Sequence, residues 1–410
     1  MVTIGFNSQK LNLSAKEQAK ELRELALSTG VNIVDEILCF RDKPTPDLFL
    51  GSGKVEEIKD LCSEKSINTV IFDKDLSGTQ QRNLEETLNI KTIDRTQLIL
   101  DIFARHAKSL EGKMQVELAQ LEYLLPRLTG KGVILSRLGG GIGTRGPGEQ
   151  KLEIDRRKVR GRIVRLKEDL KDTILRRKTM RKQRSESSVP TVTLIGYTSA
   201  GKSTLMNSLT GSKQRVSKHL FTTLDPLSRS LALPNNQKIV LLDTVGFISD
   251  LPPHLIQAFK ATLEEVIESD LLLHVLDISD LRCHEHYSVV KEMLKKLNIE
   301  DKPAITVLNK VDLLDDRSWV EKYKKDFPES VEISALNQEN FPAMFRLLEQ
   351  KLEKMFVSIS LNLPLNRMDL VDLIYREGQV SSVDYRQDSI NIQAILPSVT
   401  ASKLNAYIIK

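Results

Sequence analysis

One eight-residue stretch restricts the fold of this chain more than any other. Gly196-Tyr-Thr-Ser-Ala-Gly201-Lys202-Ser203 matches the pattern G-x-x-x-x-G-K-[ST], directly follows the apolar run 192–195 and opens a helical run over 203–209. A strand, such a loop and a helix in this order bind phosphate, because the loop N–H groups and the helix N-terminus hold phosphate oxygens. We therefore predict that Lys202 reaches the β- and γ-phosphates of a nucleotide and that the Ser203 hydroxyl binds Mg²⁺.

The apolar runs around this loop predict the sheet on which it is built. Short apolar runs alternate with helical patterns, and they lie at 192–195, 239–242, 271–276, 304–308 and 331–333. Near-continuous apolar strands of this kind are typical of a buried, mostly parallel sheet with helices on both faces. The sequence therefore predicts an α/β domain that carries the phosphate-binding loop.

A second motif, Asp243-Thr-Val-Gly246, follows the run 239–242. A carboxylate at this point can reach Mg²⁺ through water, and the Gly246 N–H can sense a γ-phosphate. In familiar GTPases the next residue is a Gln that orients the attacking water. Here it is Phe247, whose ring can neither donate nor accept a hydrogen bond, so we expect slow intrinsic hydrolysis.

Two further motifs follow the next strands of the sheet. Asn309-Lys310-Val-Asp312 follows the run 304–308, and Ser334-Ala335-Leu336 follows 331–333. The Asp312 carboxylate can accept both the N1 and N2 protons of guanine, which adenine does not offer as a pair. Ser334-Ala335-Leu336 is expected to close over the base. Four motifs at four strand ends, in this order, predict a GTP-binding and GTP-hydrolysing domain.

The first 108 residues also alternate strands with helices, which indicates a separate α/β domain. We predict strands over 31–40, 69–72 and 90–93, and helices over 54–61, 79–88 and 96–107. Beyond residue 358, two stretches alternate apolar and polar residues, at 361–365 and 390–394. They predict a small C-terminal α+β module.

Between these parts, two apolar seams predict an antiparallel pair of helices. The seams are Met114, Leu118, Leu121, Leu125 and Leu128, and Val159, Ile163, Leu166, Leu170 and Ile174. The connection between them is unusual, because residues 129–148 hold 8 of the 20 glycines of the chain. Glycine leaves the backbone free to approach a partner closely, and a loop of this length is normally functional or disordered.

The same region carries most of the positive charge. Residues 127–186 contain 19 Lys or Arg and 7 Asp or Glu, a net charge of +12 in a chain whose total is +5. A basic block in an otherwise acidic protein favours a polyanionic partner, in particular nucleic acid. The alternative is a solvated helix face rich in helix-favouring Lys and Arg.

Composition indicates where such a chain works. The three cysteines, Cys39, Cys62 and Cys283, are too few and too widely separated for a disulfide framework or a CxxC metal site, as expected in a reducing cytosol. No apolar stretch approaches the roughly 20 residues of a membrane-spanning helix. Residues 1–14 lack the basic segment and apolar core of a signal peptide. We expect a cytoplasmic protein that is not an integral membrane protein.

With these motifs in place, the chain resembles the HflX family of GTPases, in the Obg–HflX branch of P-loop proteins. Before the GTPase domain the resemblance rests on Gly51-Ser-Gly-Lys54-Val-Glu-Glu-Ile58, Asp94-Arg95-Thr-Gln-Leu98, Gln115-Val-Glu-Leu-Ala-Gln-Leu121 and Arg137-Leu-Gly-Gly-Gly-Ile-Gly-Thr-Arg-Gly-Pro-Gly-Glu149. It implies GTP hydrolysis, association with the large (50S) ribosomal subunit and its RNA, and separation of stalled or stressed ribosomes into subunits. ATP hydrolysis has also been attributed to the family's N-terminal region.

The resemblance also assigns site residues. Leu220-Phe-Thr-Thr223-Leu-Asp-Pro226 is similar to the family's switch I and implies that Thr223, rather than Thr222, supplies a hydroxyl to Mg²⁺ beside Ser203 and Asp243. Lys202, Thr223 and Gly246 are the expected catalytic groups. The residues expected to contact nucleotide are Gly196, Tyr197, Thr198, Ser199, Ala200, Gly201, Lys202, Ser203, Thr204, Phe221, Thr222, Thr223, Leu224, Asp225, Asp243, Thr244, Val245, Gly246, Asn309, Lys310, Val311, Asp312, Ser334, Ala335 and Leu336.

Two positions depart from the family pattern. Ser199 stands where the family usually has Asn, which argues against potassium activation, and Gln150-Lys151 stands where it usually has Thr-Gln. Three other patterns resemble functional motifs but have a simpler structural explanation. Glycines 141, 143 and 146 spell a dinucleotide-binding fingerprint without its helix, Gly51 to Lys54 is half a phosphate-binding loop and more simply a turn into a helix, and Cys283-His284-Glu285-His286 lacks a fourth metal ligand and is more simply an exposed loop.

We expect four parts: an α/β domain over 1–108, a basic helical hairpin over 109–187, a GTPase domain over 188–358 and an α+β module over 359–410. Arg137 and Arg145 flank the glycines and are the candidate RNA contacts. The leading hypothesis is a monomeric GTPase that acts on the large ribosomal subunit and does not bind DNA. The alternative is an RNA-binding assembly or chaperone module whose nucleotide only regulates docking. A membrane-associated regulator is disfavoured, since no lipidation signal is evident.

Overall fold

The structure is a computed structural model that describes residues 1–6, 11–41, 43–128, 147–185, 189–211, 227–249, 255, 260–353, 356–386 and 388–409. Contacts between these residues divide the chain into two compact units. The first unit runs from Met1 to Asp172, and the second holds the described residues from Thr173 onward, apart from Leu255 and Lys260. The expected division into four parts stays a prediction.

The first unit begins as an α/β arrangement, as predicted. Its elements are β1 (Val2–Phe6), α1 (Leu11–Ser28), β2 (Ile37–Arg41), α2 (Ser52–Glu64), β3 (Thr69–Ile71), α3 (Gly78–Leu88), β4 (Lys91–Ile93) and α4 (Arg95–His106). Strand β1 pairs in parallel with β2, and β3 pairs in parallel with β4. The buried side chains of the strands and of α2 and α3 form one apolar core.

Short polar side chains begin the helices of this unit. The Ser77 hydroxyl accepts a hydrogen bond from the Gln80 N–H at the start of α3, and the Gln80 side chain accepts one from the Ser77 N–H. Asp94 caps α4 in the same way through the Gln97 N–H. Such caps pair N–H groups that the first helical turn leaves without partners.

Two predictions for this unit need correction. Elements β1 and α1 were not predicted, and the strand predicted over 31–40 is a strand only over Ile37–Arg41. Residues 31–36 are irregular, and the Met1 ammonium donates a hydrogen bond to the Asp35 carbonyl oxygen there. The pairing with β1 therefore begins at the end of this segment, because the Ile37 N–H in turn donates to the Met1 carbonyl oxygen.

The two apolar seams pack against each other, as predicted. Helix α5 (Leu110–Leu124) continues as a 3-10 turn over Leu125–Arg127, and α6 spans Pro147–Ser185. Leu118 of α5 and Ile163, Leu166 and Leu170 of α6 are buried in one cluster. Two ion pairs flank the seam: Arg162 donates both to Glu117 Oε1 at 2.7 Å and to Glu117 Oε2 at 2.8 Å, and Lys167 lies 2.8 Å from Glu122. The glycine-rich connection lies outside the described residues.

The second unit contains the predicted, mostly parallel sheet, which has six strands. They are β5 (Thr191–Ile195), β6 (Leu227–Ala232), β7 (Lys238–Asp243), β8 (Leu271–Asp277), β9 (Ala304–Asn309) and β10 (Ser330–Glu332). Their order is β10-β9-β8-β5-β7-β6, parallel throughout except for β6, which pairs antiparallel with β7. The helices around it are α7 (Lys202–Thr210), α8 (Lys260–Glu268), α9 (Cys283–Lys296), α10 (Ser318–Asp326) and α11 (Phe341–Glu353). Strand β6 was not predicted.

The C-terminal part is an α+β arrangement, as expected. Its elements are β11 (Phe356–Pro364), α12 (Met368–Glu377), β12 (Gln379–Tyr385), β13 (Ser389–Pro397) and α13 (Ser398–Lys403). The three strands form an antiparallel sheet in the order β11-β13-β12. Alternate residues of β11 and β13 are buried against α12 and α13, which is the period-two pattern seen in the sequence. None of the helices in the described ranges is both long and apolar enough to cross a lipid bilayer.

Candidate nucleotide-binding site

The candidate site lies at the carboxyl edge of the six-stranded sheet. Strand β5, which ends in the loop 196–201, lies between its parallel neighbours β7 and β8. Strands β7, β9 and β10 end at the other three motifs, so the parallel order brings all four motifs to one edge. Ligands of open α/β sheets bind at this edge, where the strand order reverses direction.

The loop 196–201 has a backbone that few residue types tolerate. Gly196 has φ +151°, and a side chain there would overlap the Val275 carbonyl oxygen; Gly201 has φ +99°, and a side chain there would overlap the Asn309 amide. Ser199 also lies in the left-handed region, with φ 62°. Asn is among the non-glycine residues most often found at such angles. Serine is not one of these residues, so the loop holds Ser199 in an uncommon conformation.

Lys202 lies inside the loop that it was predicted to serve. It is the first residue of α7, and its Nζ donates hydrogen bonds to the Gly196 carbonyl oxygen at 3.0 Å and to the Tyr197 carbonyl oxygen at 2.8 Å. Burial lowers the pKa of Lys202 to about 8, and the nearby Asp243 carboxylate opposes that shift. A buried ammonium held by carbonyl dipoles is placed to meet phosphate oxygens.

Two oxygen groups suited to a magnesium ion meet beside Lys202. The Ser203 hydroxyl donates to Asp243 Oδ2 at 2.7 Å, and Asp243 is fully buried at the end of β7. A hydroxyl and a carboxylate are the hard oxygen ligands that Mg²⁺ prefers. Among the described residues, no group of three or more His, Cys, Asp or Glu side chains is arranged to hold a metal ion.

The segment that follows Asp243 is hydrogen-bonded to the phosphate-binding loop. The Thr198 N–H donates to the Phe247 carbonyl oxygen at 2.7 Å, and the Phe247 N–H donates to the Gly196 carbonyl oxygen at 3.0 Å. A Cβ added to Gly246 would lie 2.9 Å from the Thr198 Cα and 3.0 Å from the Lys202 Nζ. Gly246 therefore lies against the place where Lys202 ends, and the Phe247 side chain is buried.

Asn309 joins three of the four motifs. Its Nδ2 donates to the Ala200 carbonyl oxygen at 2.8 Å, and its Oδ1 accepts from the Ala335 N–H at 2.9 Å. The side chain is buried at the end of β9, between the loop 196–201 and the turn after β10. Asn309 thus acts as a cross-link within the protein.

The predicted base-recognition residues lie around this cross-link. Asp312 is half-buried on a 3-10 turn directly after β9, while Ser334 and Ala335 are buried and Leu336 is largely exposed. The Lys310 Nζ lies 2.5 Å from Asp277 Oδ2 at the end of β8. Asp312 and the Ser334–Leu336 turn are therefore at one end of the sheet edge, with the phosphate-binding loop beside them.

Sequence reasoning did not predict several side chains that hold these loops in place. The Ser208 hydroxyl donates to the Ala335 carbonyl oxygen at 2.6 Å, and Arg317 forms two hydrogen bonds with the Glu339 carboxylate. Asp277, the partner of Lys310, was also not predicted. An acidic residue at the end of the apolar run 271–276 was the available signal, since the carboxyl ends of neighbouring parallel strands meet.

Part of the predicted site cannot be located. Phe221, Thr222, Thr223, Leu224 and Asp225 lie outside the described residues, as do the candidate RNA contacts Arg137 and Arg145 and the glycines of the dinucleotide-like fingerprint. The roles assigned to them remain proposals.

The structure confirms the interpretation of one motif-like pattern and contradicts that of another. Gly51 is the N-cap of α2 and Lys54 pairs with Glu57 at 2.6 Å, which confirms a turn into a helix. The exposed loop expected at Cys283 to His286 is wrong: these residues begin α9, and Cys283 and His286 are buried on its inner face.

Comparison with known proteins identifies relatives over nearly the whole chain. Residues 16–104, 106–184 and 191–310 match family models described as GTP-binding GTPase N-terminal, GTP-binding GTPase Middle Region and 50S ribosome-binding GTPase. The GTPase HflX of Lacrimispora saccharolytica is 45% identical over 94% of this chain and 90% of its own length. That of Escherichia coli is 39% identical over 95% and 92%. Among solved structures, a GTP-binding protein from Sulfolobus solfataricus in complex with GDP is 26% identical over 86% of this chain and 98% of that chain, with a TM-score of 0.46.

Proposed function

Because the chain belongs to the HflX family of GTPases, we propose that it binds the large ribosomal subunit and uses GTP to separate stalled or stressed ribosomes into subunits. The matching model for residues 191–310 is that of a 50S ribosome-binding GTPase, which supports the partner. In this proposal, GTP hydrolysis by the GTPase domain determines how long the protein acts on the ribosome. The paired helices α5 and α6 and the connection between them contact ribosomal RNA.

We assign the nucleotide chemistry to the residues at the sheet edge. Lys202 neutralises the β- and γ-phosphates, the Gly246 N–H donates to the γ-phosphate, and Asp312 accepts from guanine. Ser203, Asp243 through water, and Thr223 would hold Mg²⁺, which neutralises charge on the phosphates when it is bound. The Ser203–Asp243 hydrogen bond supports the first two of these ligands.

The observation that carries the RNA contact is a set of exposed basic side chains on α6. They are Arg157, Lys158, Arg160, Arg165 and Lys171, and each is exposed without an ion pair to a described residue. The helix is kept in place by its apolar seam and by Arg162 and Lys167, whose charges are paired with α5. Positive side chains that have no ion-pair partner within the described part of the chain can neutralise RNA phosphates.

Arg127, the first residue of the basic block, has a different role. Its guanidinium donates to the Leu76 carbonyl oxygen at 2.6 Å, lies 3.1 Å from Asp94 Oδ2 and stacks over the Tyr123 ring at 3.5 Å. It holds the end of α5 against the N-terminal α/β part. We therefore exclude it from the RNA contacts.

A salt-dependence experiment tests the contact with matched variants. Replacing Arg157, Arg160 and Arg165 by Gln should lower affinity for large subunits, and should lower the salt slope of log affinity by about 0.7 to 0.9 for each phosphate that the variant no longer neutralises. The control removes the same charge from exposed positions of the GTPase domain, Lys295, Lys296 and Lys325. Equal effects of the two triple variants would mean that only net charge matters.

Subunit separation is tested by light scattering of 70S ribosomes with GTP or a non-hydrolysable analogue. Replacement of residues 137–149 by a short Ser/Gly loop should leave nucleotide binding intact and abolish separation. If the altered protein still separates ribosomes at the normal rate, the connection makes no functional contact. If the wild type binds large subunits in a nucleotide-dependent way and never separates ribosomes, the assembly or chaperone alternative holds.

The site also supports a dependence on the partner for hydrolysis. The side chain of Phe247 has no group that donates or accepts a hydrogen bond, and it is buried, so it cannot orient water. An external element can raise such rates by about 10³- to 10⁵-fold. Single-turnover hydrolysis with and without large subunits measures this, and equal rates would contradict it.

A further inference from the structure

The side chain of Tyr197 connects the phosphate-binding loop to the segment after Gly246. Its hydroxyl accepts a hydrogen bond from the Ser249 N–H at 3.0 Å and lies 2.9 Å from the Ser249 Oγ. Both contacts are made to one residue by one oxygen. The end of the segment 243–249 is thus tied to the second residue of the loop.

The tyrosine ring is itself held in place. It stacks on His286 of α9 with the ring centroids 3.9 Å apart and an angle of 13° between the planes, and it is buried. Packing of this kind restricts the ring to one orientation. The hydroxyl therefore has a defined position, set by α9 rather than by the nucleotide.

These contacts place Gly246 between two fixed points. Before it, Asp243 is hydrogen-bonded to Ser203 at 2.7 Å, and Thr244 donates to the Leu194 carbonyl oxygen at 2.7 Å. After it, Phe247 is paired with the loop through its backbone and Ser249 is held by Tyr197. The direction of the Gly246 N–H depends on both ends of this short segment.

We infer that Tyr197 is a positioning residue for GTP hydrolysis, which holds the Gly246 N–H towards the γ-phosphate through Ser249. The inference rests on the role proposed above for Gly246. The Tyr197 backbone belongs to the phosphate-binding loop, but its hydroxyl is bonded to Ser249. Loss of the hydroxyl should therefore affect steps that involve the γ-phosphate, and it should leave GDP binding almost unchanged.

Tyr197→Phe tests this, because it removes the hydroxyl and keeps the ring that stacks on His286. We expect single-turnover kcat for GTP to fall about tenfold, a change of about 1.4 kcal/mol in the activation barrier, while GDP affinity changes less than twofold. Ser249→Ala should have a smaller effect, since the Ser249 N–H can still donate to Tyr197. The double variant should match Tyr197→Phe, because loss of the tyrosine hydroxyl already removes its contact with the Ser249 Oγ.

Tyr287→Phe is the matched control. It removes the hydroxyl of Tyr287, which follows His286 on α9 and whose ring stacks on His274 with the centroids 4.9 Å apart. This change should leave kcat and the affinities for GTP and GDP unchanged. Wild-type kcat in Tyr197→Phe would overturn the inference. A fall in GDP affinity as large as the fall in kcat would also overturn it, since the whole loop would then have loosened. The assay needs no ribosome, so its failure is separate from a failure of ribosome separation.

Discussion

Asn309 offers the sharpest test of how the site is assembled, because one side chain bonds to two loops. Asn309→Ala removes the hydrogen bonds to the Ala200 carbonyl oxygen at 2.8 Å and to the Ala335 N–H at 2.9 Å. A hydrogen bond contributes about 0.5–1.5 kcal/mol net, so the pair contributes about 1–3 kcal/mol. If ordering of the loops must then occur on binding, GDP affinity should fall roughly 5- to 150-fold.

Two further variants separate the two bonds from a general loss of stability. Asn309→Asp keeps the acceptor for the Ala335 N–H and places an oxygen opposite the Ala200 carbonyl oxygen, so it should bind GDP no better than Asn309→Ala. Asn235→Ala is the control: its Oδ1 accepts an exposed hydrogen bond from the Gln237 N–H, in the turn between β6 and β7. GDP titration with a fluorescent analogue gives the affinity, and urea unfolding gives the free energy of unfolding. A lower free energy of unfolding with unchanged GDP affinity in Asn309→Ala would refute the reasoning.

Four shorter predictions follow from other residues. Asp312→Asn should weaken GTP binding and favour xanthosine triphosphate, and unchanged GTP affinity would contradict the assignment of guanine recognition to this carboxylate. Gly246→Ala should abolish hydrolysis in a kinetic assay, because its Cβ would lie 2.9 Å from the Thr198 Cα. Burial raises the pKa of Asp73 from 3.8 to about 6. Between these pH values the folded protein retains a proton that the unfolded chain has released, so stability falls as pH rises through this range. In urea titrations, Asp73→Asn should raise the free energy of unfolding at pH 8 by up to about 3 kcal/mol and have little effect at pH 4. Hydrolysis should be equally fast in K⁺ and Na⁺, since Ser199 is shorter than the Asn of related GTPases, and a large K⁺ preference would contradict this.

The parts of the fold that sequence could predict are those where burial leaves a simple pattern. Five strands of the six-stranded sheet are parallel to one another: β5, β7, β8, β9 and β10. Four of them are runs of apolar residues that are visible in the sequence itself. Strand β6 was missed because it is an antiparallel edge: its sequence Leu-Ser-Arg-Ser-Leu-Ala is mostly exposed, and only Leu231 is buried. The mostly polar sequence of an exposed edge strand is easily mistaken for that of a loop.

The side chains that connect the loops could not be predicted from local patterns. Asn309 was assigned to the nucleotide as part of a motif. Its bonds are made to Ala200 and Ala335, which are 109 and 26 residues away in the sequence and reach it only because their strands end at one edge of the sheet. The error at Cys283 was avoidable. Cys283, His286, Val290 and Met293 are spaced as the buried stripe of a helix, and the polar residues between them concealed it.

The Asn309 cross-link has a consequence for the time at which this protein becomes active while it is being made. Ala335 follows β10, the last strand of the six-stranded sheet to be synthesised and its outermost member on that side. A nascent chain that has exposed the phosphate-binding loop, and even Asn309, still lacks the N–H that fixes the amide. Tight nucleotide binding should therefore begin only after Ala335 leaves the exit tunnel, so a shorter nascent chain should bind GTP weakly even though its phosphate-binding loop is already exposed.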